Sequence, residues 1–536
     1  MWFLRWTKSK IRAGRADMDK ILIRGGWVID GTGKDRYSAD VLVENGVITK
    51  IGTIDSADNV KVLNADGMIV SPGFIDAHAH SDTCFLSDDS YAAKLYQGIT
   101  TEISGQCGDS PFPCSADRIS NDQENFSGES FSDFVRRFHE SGYKMAVNQA
   151  MLIGHGALRA CVMGYEDRKP TDDEQKNMEK LLRQSLLEGA WGMSLGLEYS
   201  PGFFAGGEEL AHLASIVREF DGLVPCHMRN EGIYISDAID ELCEIGKRSS
   251  ARVHISHLKL DNFRVHGQAE KVWKKIEEMK ESGVQISADM YPFTASCTSL
   301  SIRCPKWSRE GGNDALLKRL TGEAREKVID GIREHYFSKE RAKTCMINDD
   351  GGCWPEIVSK TLDVIAEEYL HTDDYAAAAA EILIRTKGRA GCIFFVMSEE
   401  DMMYFLRRNV GIGSDGWAYS GDEAKVKSKP HPRSYAAISR FFEIARETGM
   451  CTLEEAVYRV TKKCADMIGF TDRGVLGEGY KADICVFDEN DIGASSTYLT
   501  PVALSKGVMH VLVNGKIALE NGRQTEERAG EYLKKR

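Results

Sequence analysis

The stretch Phe74-Ile75-Asp76-Ala77-His78-Ala79-His80 is an apolar run that ends in two histidines one residue apart. Side chains two residues apart on a β-strand lie on the same face of the sheet. We therefore expect His78 and His80 to point together from the end of a strand. Paired imidazoles in such a place suit a divalent transition metal. The same pair also occurs for purely structural reasons, so its interpretation depends on the rest of the chain.

Strand-like apolar runs alternate with helical segments rich in Glu, Lys and Leu through the middle of the sequence. The eight runs span residues 70–78, 99–104, 146–153, 191–197, 223–227, 253–257, 284–291 and 410–414. This alternation is typical of βα units, and eight of them predict an α/β fold, a (β/α)8 TIM barrel. In such barrels the functional side chains follow the carboxyl ends of the strands.

Both ends of the chain carry short strand-like runs separated by Asn-Gly turns, at Asn45-Gly46 and Asn514-Gly515. Because the termini of a domain often lie close together, we expect residues 18–72 and 474–530 to build one small β-sandwich domain. The barrel then occupies residues 73–473. Residues 1–17 precede the first credible strand and are expected to lie outside the fold.

The gap between the seventh and eighth strand-like runs is too long for a single crossover helix. It predicts an inserted subdomain over about residues 293–405, after strand 7. Insertions that follow a barrel strand lie at the catalytic face, where they can cover a site.

Composition limits the class of partner. The 536 residues carry a formal net charge of -13, which disfavours nucleic acid and anionic membranes as partners and favours a small molecule. The 14 cysteines form no CxxC pair, and no apolar segment of signal-peptide length follows the N-terminus. We expect reduced thiols in a cytoplasmic protein. The oligomeric state stays open.

Further candidate metal ligands follow other strand-like runs. Cys107 stands in Gly105-Gln106-Cys107-Gly108 after the second run, and His227 and His257 end the fifth and sixth. Asp415 follows the last run, where a carboxylate can act as a base. Each residue alone has an ordinary structural explanation, and His254 is expected to face away from His257. Together, at the ends of separate strands, they predict a metal-dependent site.

Several motifs resemble a known family. The His-x-His strand, Asp415 and the closing segment 481–487 resemble the amidohydrolase superfamily. Within it the chain resembles the N-acyl-D-amino-acid deacylase (D-aminoacylase) family from about Ile21 to about Leu519. The motifs that carry this resemblance are Gly105-Gln106-Cys107-Gly108, Gly154-His155-Gly156-Ala157-Leu158-Arg159, Gly196-Leu197-Glu198-Tyr199-Ser200-Pro201-Gly202, His257-Leu258-Lys259, Asp289-Met290-Tyr291-Pro292, Met397-Ser398-Glu399-Glu400-Asp401 and His431-Pro432-Arg433.

The resemblance implies zinc-dependent hydrolysis of N-acyl-D-amino acids to a carboxylate and a free D-amino acid. It implies a tight zinc held by Cys107, His227 and His257, and a second, weaker metal position at His78 and His80. It implies Asp415 as the catalytic acid/base. It also implies that Tyr199, Lys259 and Arg433 bind the substrate carboxylate, with Tyr291 as a further substrate-binding candidate.

The chain departs from the family pattern at three places. Cys297 stands where a small hydroxyl residue is expected, Phe293 where tyrosine is usual, and no glycine follows Arg433. Substrate contacts and pocket shape are open at these positions.

Three alternative functions remain. A cyclic-amide hydrolase of the dihydropyrimidinase or hydantoinase type shares the fold, but such enzymes bridge two metals with a carboxylated lysine on the fourth strand, and residues 193–197 contain none. A dipeptide hydrolase is a second alternative. A non-catalytic scaffold on the same fold is the third, and it would be expected to lack ligands that this chain retains.

Overall fold

The computed structural model describes residues 20–55, 58–114 and 126–536. The predicted extension at residues 1–17 lies outside this part of the chain. Over the described residues, no helix combines the length and the apolar sequence needed to cross a membrane.

Five strands form the N-terminal part of the fold before the His-x-His stretch begins. They are β1 (Lys20–Val28), β2 (Tyr37–Glu44), β3 (Val47–Gly52), β4 (Lys61–Asn64) and β5 (Ile69–Pro72). The turn between β2 and β3 has Asn45 and Gly46 at positive φ, 52° and 78°. This is the conformation that an Asn-Gly hairpin turn requires.

The next strands alternate with helices. The strands are β6 (Phe74–Asp76), β7 (Ile99–Ser104), β8 (Asn148–Met151), β9 (Ile153–Gly154), β10 (Met193–Gly196), β11 (Leu223–His227), β12 (Arg252–Ile255) and β13 (Ile286–Met290). The helices are α1 (Ala92–Leu95), α2 (Phe131–Ser141), α3 (His155–Met163), α4 (Asp172–Leu187), α5 (Gly207–Glu219), α6 (Ile235–Ser249) and α7 (Ala269–Glu281).

Sequence signals account for these helices. In α4, Thr171 and Glu174 form a reciprocal capping box at the N-terminus. Met178, Leu182 and Leu186 follow at intervals of four residues and are buried, so one face of α4 packs inward while the other meets solvent.

A separate subdomain follows β13. Its elements are β14 (Ser296–Ser299), α8 (Gly312–Thr321), α9 (Arg325–Arg333), α10 (Lys339–Ala342), β15 (Cys345–Asp349), α11 (Leu362–Val364), α12 (Tyr375–Arg385) and β16 (Gly391–Phe394). The chain then returns to the barrel through the helix α13 (Glu399–Leu406) and forms the last barrel strand, β17 (Gly411–Ile412). Strands β14, β16 and β15 form an antiparallel sheet. Leu320, Ile382 and Phe394 belong to a hydrophobic core that is distinct from the barrel core.

The parallel strands close into a ring. One sheet has the order β17-β13-β12-β11-β10-β9 and another contains β8-β7-β6. Only Leu152 separates β8 from β9, and at the opposite edge Ala79 pairs in parallel with Gly416 just beyond β6 and β17. The predicted α/β fold with a core of parallel strands is confirmed. Residues of β7 through β12 are almost all buried, as expected for strands covered on both faces.

The end of the chain returns to the N-terminal strands. Its elements are α14 (Arg433–Thr448), α15 (Leu453–Arg459), α16 (Lys462–Ile468), β18 (Ile484–Phe487), β19 (Val508–Val513), β20 (Lys516–Glu520), β21 (Arg523–Gln524) and β22 (Tyr532–Leu533). Strands from both ends share one nine-stranded sheet in the order β21-β20-β19-β18-β5-β1-β2-β3, with β4 on β1. Ile484 and Val486 belong to this sheet's own core, while Cys485 and Phe487 belong to the barrel core.

The last strand, β22, is not part of that sheet but belongs to the barrel wall. Tyr532 and Leu533 pair in parallel with Gln149 and Ala150 of β8. The indole of Trp191 donates a 2.7 Å hydrogen bond to the Leu533 carbonyl. The barrel wall therefore includes the end of the chain.

Candidate active site

A cavity of about 960 Å³ lies at the carboxyl ends of the barrel strands, and most of the predicted site residues, though not His78, His257 and Tyr291, line it. The insertion contributes part of the wall through Cys297, Thr298 and neighbouring residues. The predicted site residues that line the cavity are His80, Cys107, Tyr199, His227, Lys259, Asp415 and Arg433.

Cys107, His227 and His257 converge as one group of potential ligands. Their ligand atoms all lie within 4.8 Å of one another, and Cys107 Sγ is 3.3 Å from His257 Nε2. All three side chains are buried. The residues come from three different strand ends, so the ring of strands brings them together.

A second group joins His78, His80, Cys107 and Asp415, again with ligand atoms within 4.8 Å of one another. His80 Nε2 is 3.0 Å from Asp415 Oδ1, and His78 Nε2 is 3.4 Å from Cys107 Sγ. Cys107 therefore belongs to both groups of potential ligands.

Three site residues have left-handed backbone conformations that non-glycine residues seldom adopt. Cys107, His257 and Asp415 have φ values of 54°, 39° and 49°. Such strained conformations persist where the surrounding structure holds them, and they are frequent at functional sites. Beside Cys107, a Cβ on Gly108 would lie 2.6 Å from the Gly196 nitrogen, so only glycine permits this approach to β10.

This set of donors fits zinc. Burial, followed by the negative charge of Asp415, raises the pKa of the Cys107 thiol well above its ordinary value, so a thiolate here needs a nearby cation. Thiolate and imidazole together suit zinc. Glu231 Oε1 lies 3.0 Å from His257 Nδ1, which leaves Nε2 on the side of Cys107. Carboxylates in this position orient zinc-binding histidines.

Several carboxylates of the site were not predicted from the sequence, among them Glu198, whose Oε2 lies 3.0 Å from His227 Nε2. Glu231 contacts His257, and its Oε2 lies 2.6 Å from Lys259 Nζ. Asp289 accepts a 2.9 Å bond from the His257 backbone nitrogen and contacts His254 Nε2 at 2.6 Å. His254, expected to face away, thus supports the residue that holds His257. Asp289 opens one of the family-like motifs, which is the signal that could have identified it.

A group of cations and hydroxyls lies beside Asp415. Arg433 Nη1 is 2.8 Å from Asp415 Oδ2, and the guanidinium lies 4.7 Å from the centre of the Tyr291 ring. The Tyr291 hydroxyl and Arg433 Nε are buried without a hydrogen-bond partner among the described residues. Tyr199 Oη lies 3.1 Å from Thr298 Oγ1. Unpaired buried donors are costly, so two in one place indicate a ligand that accepts from them.

The electrostatics of the site keep two cations and two carboxylates charged. Burial tends to raise the pKa of Asp415, but Arg433 and the neighbouring histidines hold it well below its ordinary value. Burial tends to lower the pKa of Lys259, but Glu231, Tyr291 and Asp415 together outweigh it, and the net shift is upward. Arg433 and Lys259 are therefore cations buried at the cavity wall, with Asp415 and Glu231 as their counter-ions.

The positions that depart from the family pattern lie near this group. The Cys297 carbonyl accepts a 3.3 Å bond from Arg433 Nη2. The ring of Phe293 lies 5.4 Å from that of His431, edge to face. His431 Nδ1 in turn accepts a 3.0 Å bond from the backbone nitrogen of Arg433.

The fold and this arrangement of side chains define a class that sequence comparison also identifies. A family model described as an amidohydrolase family matches residues 61–382 and 414–519. The chain belongs to this family.

Individual proteins similar to this chain have more specific names than the family model. The chain is 32% identical to N-acyl-D-glutamate deacylase of Alcaligenes xylosoxydans xylosoxydans, over 92% of each protein. Its structure is similar to that of N-acyl-D-glutamate deacylase from Bordetella bronchiseptica, with a TM-score of 0.81, 29% identity and coverage of 96% of this chain and 99% of the other. That protein was crystallised with zinc and a phosphonate mimic of the tetrahedral intermediate.

A second solved structure concerns the metals. A D-aminoacylase studied for its binuclear metal centre, with one-metal activation and second-metal attenuation, has a TM-score of 0.78 and 29% identity. The match covers 96% of this chain and 99% of the other.

Proposed function

We propose that this protein is a zinc-dependent deacylase that hydrolyses the amide bond of N-acyl-D-amino acids to a carboxylate and a free D-amino acid. One observation carries the proposal: a buried Cys/His ligand group lies beside a buried arginine and tyrosine that hold unpaired donors. The ligand group suits amide hydrolysis, and the donors suit a substrate carboxylate. The deacylase and aminoacylase relatives support the D-amino acid as the substrate.

Cys107, His227 and His257 would hold the tight zinc, with His78 and His80 at a weaker second position. Zinc bound by these residues would supply polarisation of the substrate carbonyl and a lowered pKa of water, to about 7. Glu231 fixes the orientation of His257 through Nδ1.

Asp415 acts as the acid/base. It belongs to the second ligand group, which shares Cys107 with the first, and it contacts His80. Its carboxylate accepts the proton of the attacking water and delivers it to the departing nitrogen, which leaves as an amine.

Arg433 receives the substrate carboxylate, with Lys259, Tyr291 and Tyr199 around it. A guanidinium presents a planar fork that matches a carboxylate. In the structure Asp415 is a partner of this arginine. A substrate carboxylate on Arg433 would share its charge, so the pKa of Asp415 would rise towards a value useful for proton transfer.

We also propose that the protein works in the cytoplasm as a small-molecule enzyme. The described residues include all 14 cysteines, and none of them is in a disulfide, which is typical of proteins in reducing compartments.

The alternatives predict different chemistry. A cyclic-amide hydrolase of the dihydropyrimidinase type would need its bridging lysine, and β10 (Met-Ser-Leu-Gly) carries none. Dipeptides are linear amides and serve as comparison substrates, and a non-catalytic scaffold would hydrolyse none of these compounds.

The test is zinc titration of chelator-treated protein while hydrolysis of N-acetyl-D-amino acids is followed. We expect one equivalent of zinc to restore activity. Asp415→Asn should bind that zinc and lose about 10²- to 10⁴-fold in kcat. Activity without any metal, or an Asp415→Asn variant as fast as wild type, would contradict the proposal.

A further inference from the structure

A buried lysine lies directly behind the site, between the first, second and last strands of the barrel. Lys94 belongs to α1, and its side chain has 0% exposure. Its Nζ lies 2.9 Å from Asp76 Oδ2, 2.8 Å from Glu102 Oε1 and 2.9 Å from Ser414 Oγ. An ammonium has three N–H donors, so each can be assigned to one of these partners. We call Lys94, Asp76, Glu102 and Ser414 the seam cluster.

The seam cluster connects the two chain segments that carry the proposed acid/base and the proposed second metal position. Asp76 Oδ1 accepts bonds from the backbone nitrogens of His78, at 3.2 Å, and Ser414, at 2.7 Å. Asp76 Oδ2 accepts a 2.6 Å bond from Ser414 Oγ. A single carboxylate therefore links the start of the His-x-His segment to the residue before Asp415.

Both chain neighbours of Asp415 are held by this cluster. Ser414 Oγ accepts from Lys94 and, at 3.1 Å, from the backbone nitrogen of Gly416. The Gly416 carbonyl lies 3.4 Å from Lys94 Nζ. Asp415 itself has a left-handed φ of 49°, a conformation that the surrounding structure must hold.

Glu102 extends the cluster towards His80. Its Oε1 accepts a 2.9 Å bond from the hydroxyl of Ser81, the residue after His80. The Ser81, Lys94 and Glu102 side chains are all buried. Burying such charges is expensive and adds little to stability compared with an apolar replacement, so a positioning role gives this cluster a reason to exist.

We propose that Lys94 is a positioning residue for the reaction: it fixes His78, His80 and Asp415 through the seam cluster without touching the substrate. The inference rests on the proposed roles of those three residues. Lys94 acts on the second metal position and the acid/base but not on the first metal position, because Cys107, His227 and His257 accept no hydrogen bond from Lys94 among the described contacts.

The experiment compares zinc-loaded wild type with Lys94→Met. We expect kcat to fall by about tenfold or more, since small displacements of reacting groups have large effects on rate. KM and the affinity for the first zinc should stay within about threefold, while the second zinc binds at least tenfold more weakly, as when groups that orient ligands are removed. A folded Lys94→Met variant with wild-type kcat and wild-type second-zinc affinity would overturn the inference. A loss of affinity for the first zinc that matches the loss of kcat would also overturn the inference.

Ser414→Ala provides a second test that leaves no buried charge unpaired. It removes one hydroxyl that joins Lys94, Asp76 and Gly416, and a smaller loss of kcat with unchanged first-zinc affinity is expected. Ser185→Ala is the matched control, because Ser185 is equally buried but lies on the outer helix α4. Equal kcat in the Ser414→Ala and Ser185→Ala variants would count against the seam cluster. If wild type hydrolyses no N-acyl-D-amino acid, the proposed function fails, yet the second-zinc affinity still tests the role of Lys94.

Discussion

Glu231 connects a proposed zinc ligand to a proposed substrate cation. One of its oxygens lies 3.0 Å from His257 Nδ1 and the other 2.6 Å from Lys259 Nζ. Glu231→Gln should weaken zinc binding by about 10- to 100-fold, as is usual when such an orienting carboxylate is lost. Competition with a chromophoric chelator measures this affinity. Glu241→Gln, which removes a carboxylate paired with Arg229 outside the ligand groups, is the control, and equal affinities in the two variants would refute the role of Glu231.

Arg433 tests the substrate side of the same site. Arg433→Lys keeps the charge but removes the planar fork, so kcat/KM on N-acetyl-D-amino acids should fall by about 10- to 100-fold with zinc retained. Steady-state kinetics together with metal analysis check this result. Arg440→Lys, on the same helix but paired with Glu443, should behave as wild type. Unchanged kinetics in Arg433→Lys would remove Arg433 from the site.

The residues that carry the site differ in how far the sequence could predict them. Cys107, His227, His257 and Asp415 follow apolar runs, so their convergence is expected of a barrel. Glu231 lies in a loop, Lys94 on the short helix α1, and Asp289 inside strand β13, where its side chain could have faced either way. Their partners are set only when strand ends meet, which no local pattern encodes.

Strand β22 has only two residues, yet it completes part of the barrel wall. Tyr532 is 7% exposed, and its hydroxyl donates a 3.2 Å bond to the Asp82 carbonyl. Tyr532→Ala should lower the apparent free energy of unfolding by about 3–5 kcal/mol and Tyr532→Phe by about 1 kcal/mol. Denaturant unfolding measures both. Tyr37→Ala, at a residue 42% exposed, is the control, and an equally small effect at Tyr532 would mean that β22 is dispensable.

Helices α3 and α5 are joined by a buried ionic group. Glu209 on α5 lies 2.9 Å from His155 Nε2 and 2.5 Å from Arg159 Nη1, both on α3. Burial tends to raise the pKa of Glu209, but these partners hold it below its ordinary 4.5. The carboxylate therefore stabilises the fold above that value, and its contribution is lost as pH falls through the lower folded pKa.

Glu209→Gln tests that interaction. At neutral pH the variant should be less stable than wild type by about 3 kcal/mol, because a buried cation loses its partner. The difference should shrink as pH falls below 4.5. Unfolding midpoints across this range measure the trend, and a difference that is constant with pH would show that Glu209 does not act as a carboxylate.

At the scale of the whole molecule, the pattern of apolar runs predicted the strands of the barrel better than it predicted how distant parts of the chain join them. The eight apolar runs all contain observed strands, because strands covered on both faces need continuous apolar sequence. The Asn-Gly turns likewise marked hairpins at both ends. The entry of β22 into the barrel wall was not predicted, since two residues carry no periodic signal. The seam cluster was not predicted either, because its residues meet only where the ring of strands closes at Ala79 and Gly416.

The substrate is the central claim, and enantiomer preference tests it most directly. The measurement is hydrolysis of paired N-acetyl-D- and N-acetyl-L-amino acids by zinc-loaded wild-type protein, with the free amino acid as the product detected. The account predicts release of the D-amino acids and little or none of the L-amino acids. Release of L-amino acids alone, or no release from either enantiomer with zinc bound, would contradict it; the second outcome would direct the search to cyclic amides and dipeptides.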